Sequence, residues 1–340
     1  MFKRIYVEIT NVCNLSCVFC PGTAREKRFL SPEEFRVIAR KLQSHTRYLY
    51  FHVMGEPLLH PQLAELLDIA AEQGFRVCLT TNGTLLPEKA AVLLAAPALH
   101  KVSVSLHSFE GNNGGDMTEY LTNVWKFCAA AAEKGVLCAL RLWNEGGAQA
   151  RNTEILSFFS TAVGQNVENL PPDRAGNRCL VPGIYLESAR KFDWPAPDTA
   201  ERGVQFCHAL RQQVAVLCDG TVVPCCLDGE GRMPLGDLLT QTLPEILNTP
   251  APWPSGRAFP AAGPPRSCAV AAATRHGSAY ERNCHARHAP TAQSPFPAPA
   301  GVVRCPPPPP ALAGDGDPLP HLGVGDHAAA DPCHGGAAVF

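Results

Sequence analysis

The feature that most limits the fold of this chain is a series of short β-rich runs, each followed by a helical pattern. Runs such as Val102–Leu106 and Val136–Leu142 are too continuously apolar for a sheet with one solvent-exposed face. They predict a parallel sheet covered by helices. The runs interpreted as strands are Ile5–Thr10, Tyr48–Val53, Arg76–Thr80, Lys101–Leu106, Val136–Leu142 and Gly183–Leu186. Such a series predicts a barrel or an open doubly wound sheet, with functional residues at the C-terminal ends of the strands.

The intervening helices carry recognisable end signals. Ser31, Pro32 and Glu34 occupy the N-cap, N1 and N3 positions of a capping box, which predicts that a helix begins there and runs to about Leu42. Gly74 and Gly135 are placed to end two later helices. The other predicted helices are His60–Gln73, Pro87–Ala95, about Met117 to Lys134, and Thr153–Ala162.

Charge and hydropathy exclude several classes of function. The chain has 29 Lys and Arg against 31 Asp and Glu, a net charge of −2, so nothing favours electrostatic binding to nucleic acid or to an anionic membrane. No apolar run reaches the roughly 18 residues of a membrane span, and the N-terminus lacks the apolar stretch of a signal peptide. We therefore expect a cytoplasmic protein, in which clustered cysteines indicate metal binding or catalysis more than disulfides.

The strongest chemical signal is the segment Cys13–Cys20, which follows the first strand and has the spacing CxxxCxxC. Three thiols on one loop can converge on one metal centre. A structural zinc site normally has four ligands, whereas three cysteines without a nearby fourth leave one coordination position free, as a catalytic iron–sulfur cluster requires. The alternative is three neighbouring thiols that are merely buried.

This motif resembles that of the radical S-adenosylmethionine (SAM) superfamily. The resemblance implies that Cys13, Cys17 and Cys20 bind a [4Fe–4S] cluster, with Phe19 as the aromatic residue before the last cysteine. It implies that SAM chelates the fourth iron and is cleaved reductively to a 5′-deoxyadenosyl radical that abstracts hydrogen. It also implies an electron donor such as flavodoxin or ferredoxin.

Other strand ends carry residues that the resemblance assigns to SAM. Gly55 and Glu56 follow the second strand in Met54-Gly55-Glu56-Pro57, which is similar to the family's GGEP segment with Met in place of the first Gly. The family positions that touch SAM's ribose and carboxylate match Thr81, Asn82, Ser105 and Arg141. Arg141 lies in an apolar strand and therefore needs a carboxylate partner. An ordinary turn is the alternative for Gly55-Glu56-Pro57 and for Asn82-Gly83.

A second cysteine-rich region begins at Cys207. Cys207, Gly220 and Cys225 match the opening pattern of the SPASM/twitch extension of radical SAM enzymes, and Asp219-Gly220 is predicted to form a hairpin turn. The resemblance implies that Cys207 and Cys225 are ligands of an auxiliary [4Fe–4S] cluster, completed in the family by a downstream CxxC that does not follow here.

The composition changes abruptly after Thr249. Residues 250–340 contain 18 of the 32 prolines and no Lys, Ile or Met. A one-base shift of the reading frame near Pro250 permits a CxxC at a plausible distance, so we interpret the tail as out of frame and the auxiliary site as incomplete. A genuine Pro/Ala-rich tail is the alternative, and the DNA sequence decides between them.

The chain is thus predicted to be an α/β protein with a partial, TIM-like (β/α)6 barrel. The predicted domains are a radical SAM core over residues 1–195, a truncated SPASM-like region over 196–249, and an irregular tail over 250–340. The implied function is hydrogen abstraction from a peptide or protein side chain. The alternatives are modification of a small metabolite and a non-catalytic iron–sulfur or zinc-binding module.

Overall fold

The computed structural model describes residues 1–110, 115–147, 149–191, 194 and 208–248. Within these residues the backbone forms one sheet of ten strands. The strands are β1 (Arg4–Val7), β2 (Tyr48–Phe51), β3 (Arg76–Thr81), β4 (Leu99–Ser105), β5 (Leu137–Glu145), β6 (Arg178–Val181), β7 (Ile184–Arg190), β8 (Gln213–Val216), β9 (Thr221–Val223) and β10 (Gly236–Asp237). The helices are α1 (Pro32–Leu42), α2 (Leu63–Glu72), α3 (Leu86–Ala95), α4 (His107–Glu110), α5 (Met117–Glu133), α6 (Asn152–Val163) and α7 (Leu243–Asn248).

The strand order is β10-β9-β8-β1-β2-β3-β4-β5-β7-β6. Strands β1 to β5 and β7 run parallel, with helices between them, and they correspond to the six predicted runs. The two ends of the described sheet, β10 and β6, do not pair with each other, so the barrel is open. The predicted partial (β/α)6 barrel is therefore confirmed, and it gathers the C-terminal ends of its parallel strands along one rim.

Alternate residues of each strand face opposite sides of the sheet, and this divides the core into two layers. Ile5 and Val7 belong to the large apolar layer that also contains residues of the helices, such as Phe35. Tyr6 belongs to the second layer, on the opposite side, where it packs with Met54. The second layer also contains Cys225 and Cys226 of the C-terminal region, whereas Cys218 belongs to the first layer.

Helix α1 begins as the capping box predicts. The Ser31 side chain accepts a hydrogen bond from Glu34 N, and the Glu34 carboxylate accepts one from Ser31 N. The first strand, by contrast, ends at Val7 and not at Thr10. The reason is local: Ile9 and Thr10 pair with the returning chain, because Leu30 N donates to Ile9 O at 2.8 Å and Thr10 bridges to Phe29.

Residues 208–248, here called the C-terminal extension, continue the same sheet. Strand β8 pairs in parallel with β1, with Val216 opposite Val7, and β8 and β9 form the predicted hairpin at Gly220, whose φ is +91°. The Lys41 ammonium of α1 donates to the carbonyls of Leu238, Leu239 and Gln241 at 2.7, 2.9 and 2.9 Å, which fastens the extension to the barrel.

None of the helices in the described part of the chain has the length and apolarity needed to cross a membrane. The predicted ligand Cys207 and the predicted tail, residues 250–340, lie outside the described residues.

Candidate active site at the strand ends

The segment between β1 and α1 is a loop whose base is closed by hydrogen bonds between its two limbs. Thr10 Oγ1 donates to Arg28 O at 2.9 Å, and Asn11 Nδ2 donates to Glu26 O at 2.8 Å. The three predicted ligands, Cys13, Cys17 and Cys20, lie in this segment, which we call the cysteine loop (residues 13–28). Closure of the base holds the three thiols beside the C-terminal end of β1.

The donor set of the cysteine loop fits a [4Fe–4S] cluster. None of Cys13, Cys17 and Cys20 forms a disulfide; Cys13 and Cys20 are exposed and Cys17 is half-buried. Partial burial raises the pKa of Cys13, with Glu56 and Cys20 adding to the shift and the backbone N–H groups near Leu15 opposing it. Nowhere in the described ranges do three His, Cys, Asp or Glu side chains converge on a point suited to one metal ion. A cluster attaches each thiolate to a different iron, so it does not need such convergence.

The end of β2 packs directly on the cysteine loop. Gly55 has a φ of +76°, and a Cβ there would lie 2.5 Å from Thr10 O, so this contact requires glycine. Glu56 N donates to Val12 O at 2.8 Å, immediately before Cys13. The Gly55-Glu56 turn therefore belongs to the framework of the thiol-bearing loop.

Glu56 also joins the end of β2 to the end of β3. Its fully buried carboxylate accepts hydrogen bonds from Thr81 Oγ1 and Asn82 N, both at 2.7 Å, and from Leu58 N at 3.0 Å. Burial raises the pKa of Glu56 to about 7, although these three hydrogen bonds act in the opposite direction. Three of the roughly four acceptor positions of the carboxylate are thus used within the chain, which makes Glu56 first of all a positioning residue.

Asn82 links the end of β3 to the cysteine loop. Its side-chain amide donates to Asn14 Oδ1 at 2.9 Å, and its carbonyl accepts a hydrogen bond from the Tyr120 hydroxyl at 2.8 Å. The hydroxyl of Thr81 donates to Glu56 and accepts from Gly83 N. Both predicted residues therefore lie beside the cysteine loop and hold its surroundings in place.

Phe19, Ser105 and Arg141 meet at a small cavity of about 50 Å³. The cavity connects the cysteine loop with the ends of β4 and β5, and the Phe19 ring lies 4.8 Å from the His107 ring. Its full lining is Phe19, Ser105, His107, Arg141, Trp143, Lys191 and Trp194. A larger groove of about 910 Å³, beside α6, contains none of the predicted site residues.

Arg141 has the carboxylate partner that its position requires, and that partner is Glu187 of β7. Arg141 Nε donates to Glu187 Oε2 at 3.2 Å, and the guanidinium lies 4.4 Å from the centre of the Trp143 ring. Lys101 Nζ contacts Glu187 Oε1 at 2.9 Å. Burial raises the pKa of Glu187, but Arg141 and Lys101 outweigh it, so the pKa lies below its usual value.

His52 is not among the predicted site residues, but the structure gives it a specific setting. His52 follows β2, is 7% exposed, and contacts the rings of Tyr6 and Tyr50. Burial, with smaller contributions from Arg141 and Arg4, lowers its pKa to about 3. His52 is thus a buried imidazole for which the neutral form is favoured, and its two ring nitrogens have no hydrogen-bond partner among the described residues.

Cys225, the described member of the predicted auxiliary pair, is buried next to Cys226 in the layer that contains Tyr6 and Met54. It therefore lies on the side of the sheet opposite to the main helical layer.

The sequence analysis did not identify four residues that the structure brings to this site. They are Glu8, Arg25, Lys101 and Glu187, and each forms its ion pair with a partner distant in the chain.

Comparisons with known proteins identify two domains in the chain. Residues 7–142 match the model of the radical SAM superfamily, and residues 207–268 match that of an iron–sulfur cluster-binding domain, SPASM. The second match extends beyond residue 249, where we place the end of the in-frame region. Together, the two domains imply a [4Fe–4S] cluster with SAM, and further iron–sulfur binding in the extension.

Among curated relatives, the chain is 35% identical over 108 residues to Fe-coproporphyrin III synthase of Methanosarcina barkeri, covering 31% of this chain and 27% of that protein. It is 32% identical over 111 residues to a probable GTP 3′,8-cyclase of Methanocaldococcus jannaschii, covering 31% of this chain and 36% of that protein. The chain thus spans about a third of the length of these relatives.

A solved structure, Streptococcus suis SuiB bound to precursor peptide SuiA, superposes with a TM-score of 0.50 at 16% identity. The superposition covers 72% of this chain and 64% of SuiB. At that identity the likeness concerns the fold alone.

Proposed function

Because the chain belongs to the radical SAM superfamily, we propose that it is a SAM-cleaving enzyme that modifies a peptide or protein side chain. The observation that carries the SAM-cleaving activity is the placement of three cysteines of one loop next to the Gly55-Glu56 turn and the cavity of Phe19, Ser105 and Arg141. When bound, the cluster and SAM supply the radical that abstracts a hydrogen atom from substrate. The residues of the chain bind and orient these groups.

We assign the roles at the site as follows. Cys13, Cys17 and Cys20 hold the cluster, and Gly55 lets the β2 turn pack closely on the backbone of Thr10 and Asn11, just before Cys13. Ser105 and Arg141 offer a hydroxyl and a cation to the polar groups of SAM at the cavity beside Phe19. Glu56, Thr81 and Asn82 hold the ends of β2 and β3 beside the cysteine loop. The remaining acceptor position of the Glu56 carboxylate is left for the SAM ammonium group.

For the domain organisation we propose a core of residues 1–195, a truncated SPASM-like region of 196–249 and a tail of 250–340 that is out of frame. The SPASM-like region supplies Cys207 and Cys225 to an incomplete auxiliary site. Resequencing of the coding DNA tests the tail. A frame that restores CxxC after a one-base insertion supports the proposal, and a sequence that permits no such frame refutes it.

The decisive experiment for the activity is anaerobic reconstitution with iron and sulfide, followed by dithionite and SAM. We expect 5′-deoxyadenosine by mass spectrometry, and none from a variant in which Cys13, Cys17 and Cys20 are alanine. Cys179→Ser is the matched control, because it removes a half-buried thiol of β6 outside the loop. Absence of 5′-deoxyadenosine from the wild-type chain, or its formation by the triple variant, would refute the proposal.

The named activities of the curated relatives, a GTP cyclase and a porphyrin synthase, favour a second candidate: modification of a small metabolite. An isotope experiment distinguishes the two candidates. Extracts of cells grown in D₂O are fractionated by size, and each fraction is incubated with the enzyme in H₂O. Deuterium in 5′-deoxyadenosine from the peptide fraction supports the first candidate, and deuterium from the small-molecule fraction supports the second. The support for the first candidate is an analogy of fold, since the similarly folded SuiB is bound to a precursor peptide in its structure.

A further inference from the structure

Glu8 is a fully buried carboxylate at the C-terminal end of β1, and its hydrogen-bond donors come from three separate parts of the chain. Arg25 Nη2, on the returning limb of the cysteine loop, contacts its two oxygens at 2.6 and 2.8 Å. Met54 N, from the end of β2, donates to Oε1 at 3.1 Å, and Cys218 N, from the end of β8, donates to Oε2 at 3.0 Å.

Arg25 continues this connection into the C-terminal extension. Its Nε donates to Gly229 O at 2.8 Å, and its Nη1 lies 3.7 Å from Cys218 Sγ. One guanidinium therefore bridges β1 and two segments of the extension at the same time. The preceding residue also contacts the extension, since Ala24 N donates to the Glu230 carboxylate at 3.3 Å.

The extension also packs against the β2 turn at this point. A Cβ on Gly229 would lie 2.8 and 2.9 Å from Cγ and Sδ of Met54. Met54 directly precedes Gly55, whose own close contact is with Thr10 and Asn11 of the first loop. The cysteine loop, the β2 turn and the extension thus meet at Glu8 and Arg25.

The burial of this pair makes the connection specific. The side chains of Glu8 and Arg25 are 0% and 13% exposed, so a charge left without its partner here would be costly. Arg28, three residues further along the same limb, offers a contrast: its pair with Glu34 has side chains that are 35% and 29% exposed. A charge left without its partner in this partly exposed pair would cost less than one left at Glu8 and Arg25.

We propose that Arg25 is a positioning residue that couples the C-terminal extension to the primary cluster site. In this arrangement Cys218 N supplies a hydrogen-bond donor to Glu8, and Gly229 O supplies an acceptor to Arg25. Docking of the extension therefore fixes the part of the cysteine loop that follows Cys20. The site that holds the cluster is therefore built jointly by the barrel and by residues near position 220. The inference rests on cluster binding and does not depend on the substrate.

The first test uses hydrogen exchange of residues 13–28 in the cluster-free chain. Arg25→Lys keeps a positive charge beside Glu8, but a single ammonium cannot span Glu8 and Gly229 as the guanidinium does. Gly229→Val disturbs the same junction from the extension. We expect at least fivefold faster exchange in both variants, and less than a twofold change in the matched control Arg28→Lys.

The second test follows the cluster in the reconstituted full chain. Chelation by SAM changes the EPR spectrum of the cluster that binds it, so this change reports on the SAM-binding site. We expect the SAM-responsive signal per chain to fall at least threefold in Arg25→Lys and Gly229→Val, and to stay within error in Arg28→Lys. Such a signature distinguishes positioning of the cluster from a general loss of stability.

Wild-type exchange rates in both junction variants would overturn the proposal, and so would a wild-type SAM-responsive signal in both. A wild-type chain that binds a SAM-responsive cluster but releases no 5′-deoxyadenosine would refute the proposed activity and leave this inference standing. Equal effects in Arg28→Lys and Arg25→Lys would also overturn it, because they would show that any cation on this limb has the same importance.

Discussion

At the scale of single residues, Glu56 shows how burial can set the pH dependence of stability. Its pKa is raised from the usual 4.5 to about 7 because the carboxyl is buried, despite its three hydrogen-bond donors. The folded chain therefore binds this proton more tightly than the unfolded chain. The resulting stabilisation is complete below about pH 4.5 and is lost as the pH rises through about 7.

We expect Glu56→Gln to remove this dependence. Between pH 5 and pH 8, the free energy of unfolding of the cluster-free wild type should fall by about 2–3 kcal/mol relative to the variant. Urea denaturation at the two pH values measures the difference. Glu26→Gln, an exposed change in the cysteine loop, serves as the control and should follow the wild type. A constant difference between wild type and Glu56→Gln would contradict the prediction.

Glu187 leads to a second prediction at this scale, because it is the shared carboxylate of two cations. Glu187→Gln leaves Arg141 and Lys101 facing a neutral group in a site where the Arg141 and Glu187 side chains are 8% and 10% exposed. We expect a loss of about 3 kcal/mol in the free energy of unfolding. Glu72→Gln, which breaks the exposed pair with Arg36, should cost less than about 1 kcal/mol. Equal urea midpoints for the two variants would show that the Glu187 cluster is not a buried ion network.

At the scale of elements, the first turn of α1 has a measurable energetic role. Ser31→Ala removes the acceptor for Glu34 N and should lower the free energy of unfolding by about 1 kcal/mol. Thermal or urea unfolding measures this loss. Ser44→Ala, an exposed serine in the turn after the helix, should change it little. A Ser31 variant as stable as the wild type would mean that water replaces the cap without cost.

The same helix shows what the sequence predicts well. A capping box is a local code, so Ser31, Pro32 and Glu34 specify the start of α1 without reference to the rest of the chain. The long apolar runs specify the parallel strands equally directly, although their ends are less certain. The end of β1 depends on the pairing of Ile9 with Leu30, which no periodicity within the strand reveals.

The residues of the site likewise fall into two groups, those recognisable from local sequence and those defined by tertiary contacts. Cysteines 13, 17 and 20 are recognisable because their spacing is itself the chemical signal, whereas Glu8 and Glu187 are ordinary carboxylates until the fold gives them partners. Glu8 obtains its partners from residues 25, 54 and 218, and Glu187 from residues 101 and 141. Contacts of that separation are a property of the tertiary fold.

At the scale of the whole molecule, Lys41 tests how the extension is held. Lys41→Met removes the ammonium that contacts three extension carbonyls. Hydrogen exchange of residues 236–248 should become about tenfold faster, while the strands β2 to β5 keep wild-type rates. Arg40→Met, which changes the exposed neighbouring cation, should leave the extension unchanged. An unaltered extension in Lys41→Met would show that apolar contacts alone hold it.

The pairing of β8 with β1 also orders events during synthesis. While the chain leaves the ribosome, β1 can acquire β2 early, but the neighbour on its other side is complete only when Val216 has emerged. Until then one edge of β1 lacks its strand, and Glu8 lacks Cys218 N. The surroundings of Glu8 are therefore complete only once residue 218 has emerged, and we expect a shorter nascent chain to bind a cluster less well than the complete folded chain.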